Sequence, residues 1–173
     1  MGQTCNKSLL DGAFSGNLRL IRESIESGAN VNHSDHDGQT ALAIAAYHGY
    51  QPIVEYLVRQ GANVNTFDRC TLSTPLALAV RGDNIKTVKC LLENGADVNL
   101  TGSIDGEKSD TPLSIAAEKG NLAMVQAVIS KGADVNIADN EGNTPLAVAE
   151  SMGNFQIVKW LKEMQNNDAK SQN

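Results

Sequence analysis

The sequence predicts an all-α solenoid, built from one structural unit used several times. Three observations carry that reading. "GANVN" occurs at Gly28 and Gly61, and "GADVN" at Gly95 and Gly132, at separations of 33, 34 and 37 residues. A second signal runs in step with the first, "TAL" at Thr40 and "TPL" at Thr74, Thr111 and Thr144. From each of the first three threonines to the next glycine of the first signal is 21 residues. A constant block joined by connectors of variable length is the mark of a repeat architecture.

Each element of the unit has a local cause. The threonine suits an N-cap, because its hydroxyl can accept an orphan backbone N–H. Pro75, Pro112 and Pro145 follow at the first helical position, where a missing N–H costs nothing. A short apolar run such as "LALAV" (76–80) makes the first helix. Gly49, Gly120, Gly153 or the pair Gly82-Asp83 then suits a turn that needs positive φ. Asn17, Asn84, Asn121 and Asn154 come next and are expected to cap a second helix. That helix is amphipathic, with Ile53, Val54, Leu57 and Val58 on one face in one copy and Met124, Val125, Val128 and Ile129 in another. Gly28, Gly61, Gly95 and Gly132 stop it. A unit of this size buries too little to stand alone, so the copies must stack and share a core.

The stretch "STPLALAVRGDNIKTVKCLLENGADVN" (73–99) resembles the ankyrin repeat. The resemblance covers about residues 7–164, and several motifs coincide in register. It implies paired antiparallel helices with protruding hairpin-like loops, and a concave surface of loops and first helices that grips a partner. The expected organisation is a tail at 1–6, repeats at about 7–39, 40–73, 74–110, 111–143 and 144–164, and a polar tail at 165–173. The first and last copies read as caps. Lys7 and Ser8 replace Thr-Pro, Gly12 stands where others have Ala, Ser24 interrupts the second helix, and Lys162 and Glu163 replace apolar residues. Trp160 is expected to seal the last hydrophobic layer. Ala77, Ser114 and Ala147 stand where the family usually has His, which would leave the groove shallower.

Composition narrows the partner. The 173 residues carry a formal net charge of −6. Nucleic acid and anionic membranes select clustered Lys and Arg, so neither is expected as a partner. No apolar run is long enough to span a bilayer, and the N-terminus lacks the regions of a secretory signal. Cys5, Cys70 and Cys90 are an odd set without framework spacing and read as free thiols, which points to the cytoplasm. Gly2 begins a myristoylation-like pattern that Asn6 breaks.

Function should sit where the copies differ. The first connector, "HSDHDGQ" (33–39), carries His33 and His36 beside turn-forming Asp35, Asp37 and Gly38, and His48 follows Tyr47 at the end of the next helix. The second, "TFDRCTLS" (66–73), presents Phe67, Arg69 and Leu72, with aromatic and arginine side chains of the kind that anchor interfaces. The third, "LTGSIDGEKSD" (100–110), echoes a phosphate loop but has Glu107 where the second glycine belongs. It reads as a specificity element or a tolerated insertion. Arg81, Glu118, Lys119, Ser151 and Met152 vary at the first-helix ends. Leu91 with Asp97-Val98-Asn99 resembles the site that asparaginyl hydroxylases modify in ankyrin repeats. The alternative is that Asn32, Asn65, Asn99 and Asn136 each tie down a loop.

No nucleophile pattern, dinucleotide fingerprint or H-E-x-x-H motif is present. The expectation is therefore a non-enzymatic module, without cofactor or metal and monomeric on its own. It would bind a protein partner as adaptor, inhibitor or masking subunit, through His36, Tyr47, His48, Phe67, Arg69, Arg81 and Lys119. Two rivals stand beside it. One is a metal-binding or small enzymatic regulator using His33, His36 and His48, and the other is a self-associating protein that displays Phe67 or Cys70.

Overall fold

A computed structural model describes residues 2–69, 71–101, 103–104, 107–108, 110–139 and 141–171. Cys70, and Gly102, Asp105, Gly106 and Ser109 of the phosphate-loop echo, lie outside them. The described residues form five helix pairs: α1 (Gly2–Ser15) with α2 (Leu18–Glu26), α3 (Ala41–His48) with α4 (Gln51–Arg59), α5 (Pro75–Arg81) with α6 (Ile85–Glu93), α7 (Pro112–Glu118) with α8 (Leu122–Ile129), and α9 (Pro145–Ser151) with α10 (Phe155–Ser171). Each odd-numbered helix packs on the next odd one and each even helix on the next even one, giving an all-α repeat solenoid of two rows.

The local chemistry works as the sequence predicts at the start of α3, α5, α7 and α9. Thr40, Thr74, Thr111 and Thr144 accept a hydrogen bond from the backbone N–H three residues on, and proline opens α5, α7 and α9. Leu42, Leu76 and Leu113 then point inward and are essentially inaccessible, as are Leu57, Leu91 and Val128 from the second helices. Together they form one continuous core through the stack. Trp160 packs against its C-terminal end, partly buried, as a closing layer should.

Asparagines tie the loops of successive copies together. Asn32 donates to Gly61 O (3.2 Å) and accepts from Asn63 N (2.7 Å). Asn65 does the same with Gly95 O and Asp97 N, and Asn99 with Gly132 O and Asp134 N. The loop-tying role is thus present in three of the four expected asparagines, and Asn136 follows the last of these ties. Asn6, the residue that breaks the lipidation-like pattern, accepts from Asn30 N at 2.9 Å. It does for Asn30 what Asn32 does for Asn63.

Four expectations are corrected. Residues 2–6 are the first turns of α1, not a tail, because Asn6 and the neighbouring Cys5 Sγ, 3.5 Å from Ser27 O, fasten them to the end of α2. At the other end α10 continues through Ser171, since no Gly-Ala stop follows Leu161. Asn84 makes no side-chain cap. Asn84 Nδ2 donates to Tyr47 O (2.8 Å) and Asn154 Nδ2 to Ala117 O (2.7 Å), satisfying carbonyls at the C-terminal end of the preceding first helix. Ser24 does not interrupt the second helix: α2 runs through it, and its Oγ donates to Leu20 O at 2.7 Å. The Gly82-Asp83 pair makes the expected turn, with Asp83 at positive φ (60°) and Gly82 helical at φ −76°. Gly82 is required for another reason: a Cβ there would run into Tyr47 O.

The connectors are hairpin-like. Asp35 N donates to Gln39 O, Asp68 N to Ser73 O and Asp139 N to Asn143 O, and Arg69 N reaches across to Asp37 O at 2.9 Å. The 100–110 connector holds a two-residue antiparallel pair, β1 (Ser103–Ile104) and β2 (Glu107–Lys108). Lys108 therefore lies on a short strand and not at the start of a helix, so the backbone is not that of a phosphate loop.

Candidate functional site

The left-handed turn after each first helix fixes a common register. Gly16, Gly49, Asp83, Gly120 and Gly153 hold it, with φ between 60° and 73°. Two residues earlier stand Phe14, Tyr47, Arg81, Glu118 and Ser151. These equivalent positions line two hollows on the side of the stack that carries the first helices and loops.

The first hollow, of about 380 Å³, is floored by Ile44 and Leu78 and walled by Phe14, Tyr47, His48 and Arg81. Phe14 is 51% exposed and Tyr47 46%, a substantial apolar surface for side chains of this size. His48 is sandwiched by neighbours: its ring meets Tyr47 edge-on (centroids 5.3 Å apart) and stacks on Tyr50 (5.5 Å). Arg81 stands at the far wall, Nη2 3.6 Å from Asp110 Oδ2. That pair marks the passage to the second hollow, also about 380 Å³, where Asp110, Glu118, Asp139 and Glu141 meet Ser151 and Met152. Asp139 has a structural duty, accepting from Glu141 N and Asn143 N in its turn. Glu118 and Glu141 are exposed.

The structure thus gathers Tyr47, His48 and Arg81 into one hollow and sets the other expected contact residues apart. Phe67, half-buried, and Arg69, exposed, line a smaller hollow beside Gly38 and Ser34. His36 is exposed at the tip of the first loop, Nε2 3.3 Å from Asp37 Oδ2, and Lys119 is the exposed C-cap of α7. Phe14 was not among the expected contacts. The glycine turn at Gly16 puts it in register with Tyr47, and that spacing is the signal that finds it.

The three histidines do not form one metal-ligand set. Among the described residues, the group whose ligand atoms lie within 4.8 Å of one another is Asp35, His36 and Asp37, without His33 or His48. Asp35 Oδ1 already accepts from Asp37 N and Gln39 N, so it shapes the turn. Cys90 sits in α6, where burial first, and then the negative charges of Glu55 and Glu93, push its thiol up. A thiol held protonated in this way is a weaker nucleophile than an exposed one.

The whole chain can be set beside known proteins. A family model described as ankyrin repeats (three copies) matches residues 9–102 and again 99–173. A protein of fowlpox virus (strain NVSL) that is named for its ankyrin repeats is 34% identical over 162 residues, covering 90% of this chain and 47% of its own length. Ankyrin repeat and SOCS box protein 6 of Mus musculus is 40% identical over 96 residues, covering 54% of this chain and 23% of the relative. Serine/threonine-protein kinase 12 of Arabidopsis thaliana is 40% identical over 84 residues, covering 49% of this chain and 18% of the relative. The chain spans less than half the length of each of these three relatives. Among the described residues no helix is long and apolar enough to cross a membrane.

Proposed function

The chain belongs to the ankyrin-repeat family, and from that premise we propose that it is a non-catalytic module that binds a protein partner on the face formed by its first helices and loops. Ankyrin repeats generally mediate protein–protein interaction and are typically non-catalytic. The observation that carries the choice of face is the common register. Five equivalent positions hold Phe14, Tyr47, Arg81, Glu118 and Ser151, while the positions behind them are near-uniform apolar core. Arg81, Glu118 and Ser151 are ordinary surface residues, whereas half-exposed Phe14 and Tyr47 cost solubility without adding core.

The contact set is Tyr47, His48 and Arg81 in the first hollow, Phe67 and Arg69 on the adjoining loop, and His36 and Lys119 at its margins. Tyrosine and arginine are the side chains that dominate interface energies, because each offers a large rigid surface with a polar end. Bound there, the module would act by occupation: as adaptor, inhibitor or masking subunit. The cytoplasm, suggested by its free cysteines, is the proposed compartment.

The test is the triple substitution Tyr47→Ala, Arg69→Ala, Arg81→Ala. Capture of the native partner should fall at least about tenfold while the melting temperature stays within a few degrees. Undiminished capture would show that another face binds.

A further inference from the structure

The two hollows differ in chemistry, and the difference has a direction. From α1 to α9 the register positions run from two aromatics through one arginine to glutamate and serine. The first hollow has Ile44 and Leu78 at its base and Phe14 and Tyr47 at its rim. The second is edged by four carboxylates, and among the described residues no Lys or Arg lines it. Arg81, the cation between them, already has Asp110 beside it at 3.6 Å. An anionic ligand would meet like charge in the second hollow, and a wholly apolar one would cover the exposed carboxylates of Glu118 and Glu141 without offering them a counter-charge.

We propose that this face takes one extended protein segment of mixed chemistry: an aromatic or large aliphatic anchor in the first hollow, and lysines or arginines over the second. The proposal rests on the reading of the first-helix face as the binding face and adds the class of partner. The spacing follows from the stack. Neighbouring helices pack about 8–10 Å apart, so the second hollow, between α7 and α9, lies roughly 20–25 Å from α3. An extended chain covers about 3.3 Å per residue. Anchor and cations are therefore separated by roughly six to eight residues. The net charge of −6 draws such a segment in from a distance, and the aromatic hollow fixes its register.

The test uses four fluorescein-labelled synthetic peptides read by anisotropy on the full chain. The first has one phenylalanine, five Gly/Ser residues and three lysines, which stand six, seven and eight residues from the phenylalanine. The second places the lysines next to the phenylalanine, the third replaces lysine by glutamate, and the fourth replaces phenylalanine by serine. The first should bind most tightly, at least about tenfold over the others, and weaken between 50 and 300 mM salt as an ion-paired contact does. Glu118→Lys with Glu141→Lys should reduce its affinity about tenfold or more. Glu26→Lys with Glu93→Lys makes the same change in net charge away from the two hollows and should leave the affinity within about twofold.

Equal loss in the two charge-reversed variants, equal binding of the compact peptide, or no binding of any peptide overturns the proposal. So does concentration-dependent association in sedimentation that Phe14→Ser abolishes, because the hollow would then belong to a second copy. If the triple-alanine variant loses the native partner while the Glu118→Lys, Glu141→Lys variant keeps it, the binding face stands and the cationic segment falls.

Discussion

At Gly95 the backbone has φ 84°, and a Cβ built there meets nothing within 4 Å. The whole requirement for glycine is therefore conformational: the left-handed region lets the chain leave α6 at once. Gly95→Val should cost about 1–3 kcal/mol, seen as a fall of several degrees in melting temperature, because a β-branched side chain resists that φ. Gly95→Asn should cost less, since Asn tolerates the left-handed region. Equal stability of all three chains would mean that the helix stop lies elsewhere. Thr87 poses the opposite case. It is 1% exposed in α6, and its hydroxyl has no hydrogen-bond partner among the described residues. Thr87→Val keeps the shape and removes the unpaired group. It should raise the free energy of unfolding by about 1 kcal/mol in denaturant titration. A loss of stability would show that the hydroxyl has a partner in solution.

Between elements, the asparagine ties do what single helices cannot. Each of Asn32, Asn65 and Asn99 bonds twice to the next copy, so the loops are held in step over three junctions. Asn65→Ala should therefore cost about 1–2 kcal/mol by denaturant unfolding. Asn136 is the same residue in the same register after the last such junction, and Asn136→Ala should stay within about 0.5 kcal/mol. Equal costs would show that the ties matter within a loop and not between copies. Asn99 already uses both polar atoms of its amide in the tie to Gly132 and Asp134. An enzyme acting on it would have to open that junction first.

For the whole molecule, a stack of copies that touch only their neighbours should lose its ends before its middle. Trp160 closes the last layer together with Ile157 and Leu161, both 1% exposed. Trp160→Ala should lower hydrogen-exchange protection in α9 and α10 while α5 and α6 keep most of theirs. Uniform loss along the chain would mean that the solenoid unfolds as one cooperative body. The binding face is also a property of this scale. Phe14 and Arg81 are 67 residues apart in sequence and line one hollow only because α1, α3 and α5 are packed side by side.

The sequence by itself determined the unit, its number of copies and most of its local chemistry. Threonine caps, opening prolines and stopping glycines act within three or four residues, so their spacing is legible without a fold. Tertiary structure decided what depends on a neighbouring copy. Asn84 looked like a cap, but in the stack its side chain makes no cap bond to its own helix and its Nδ2 turns to Tyr47 O at 2.8 Å; Asn154 Nδ2 likewise reaches Ala117 O at 2.7 Å. Gly82 and Asp83 could have shared the turn in either order until Tyr47 O filled the space beside Gly82. The short tails became helix at both ends because Asn6 found Asn30 and because nothing stopped α10. Local rules fix what a segment can do. Which of its polar groups are already engaged, and which side chains share a hollow, is set only when the copies stack.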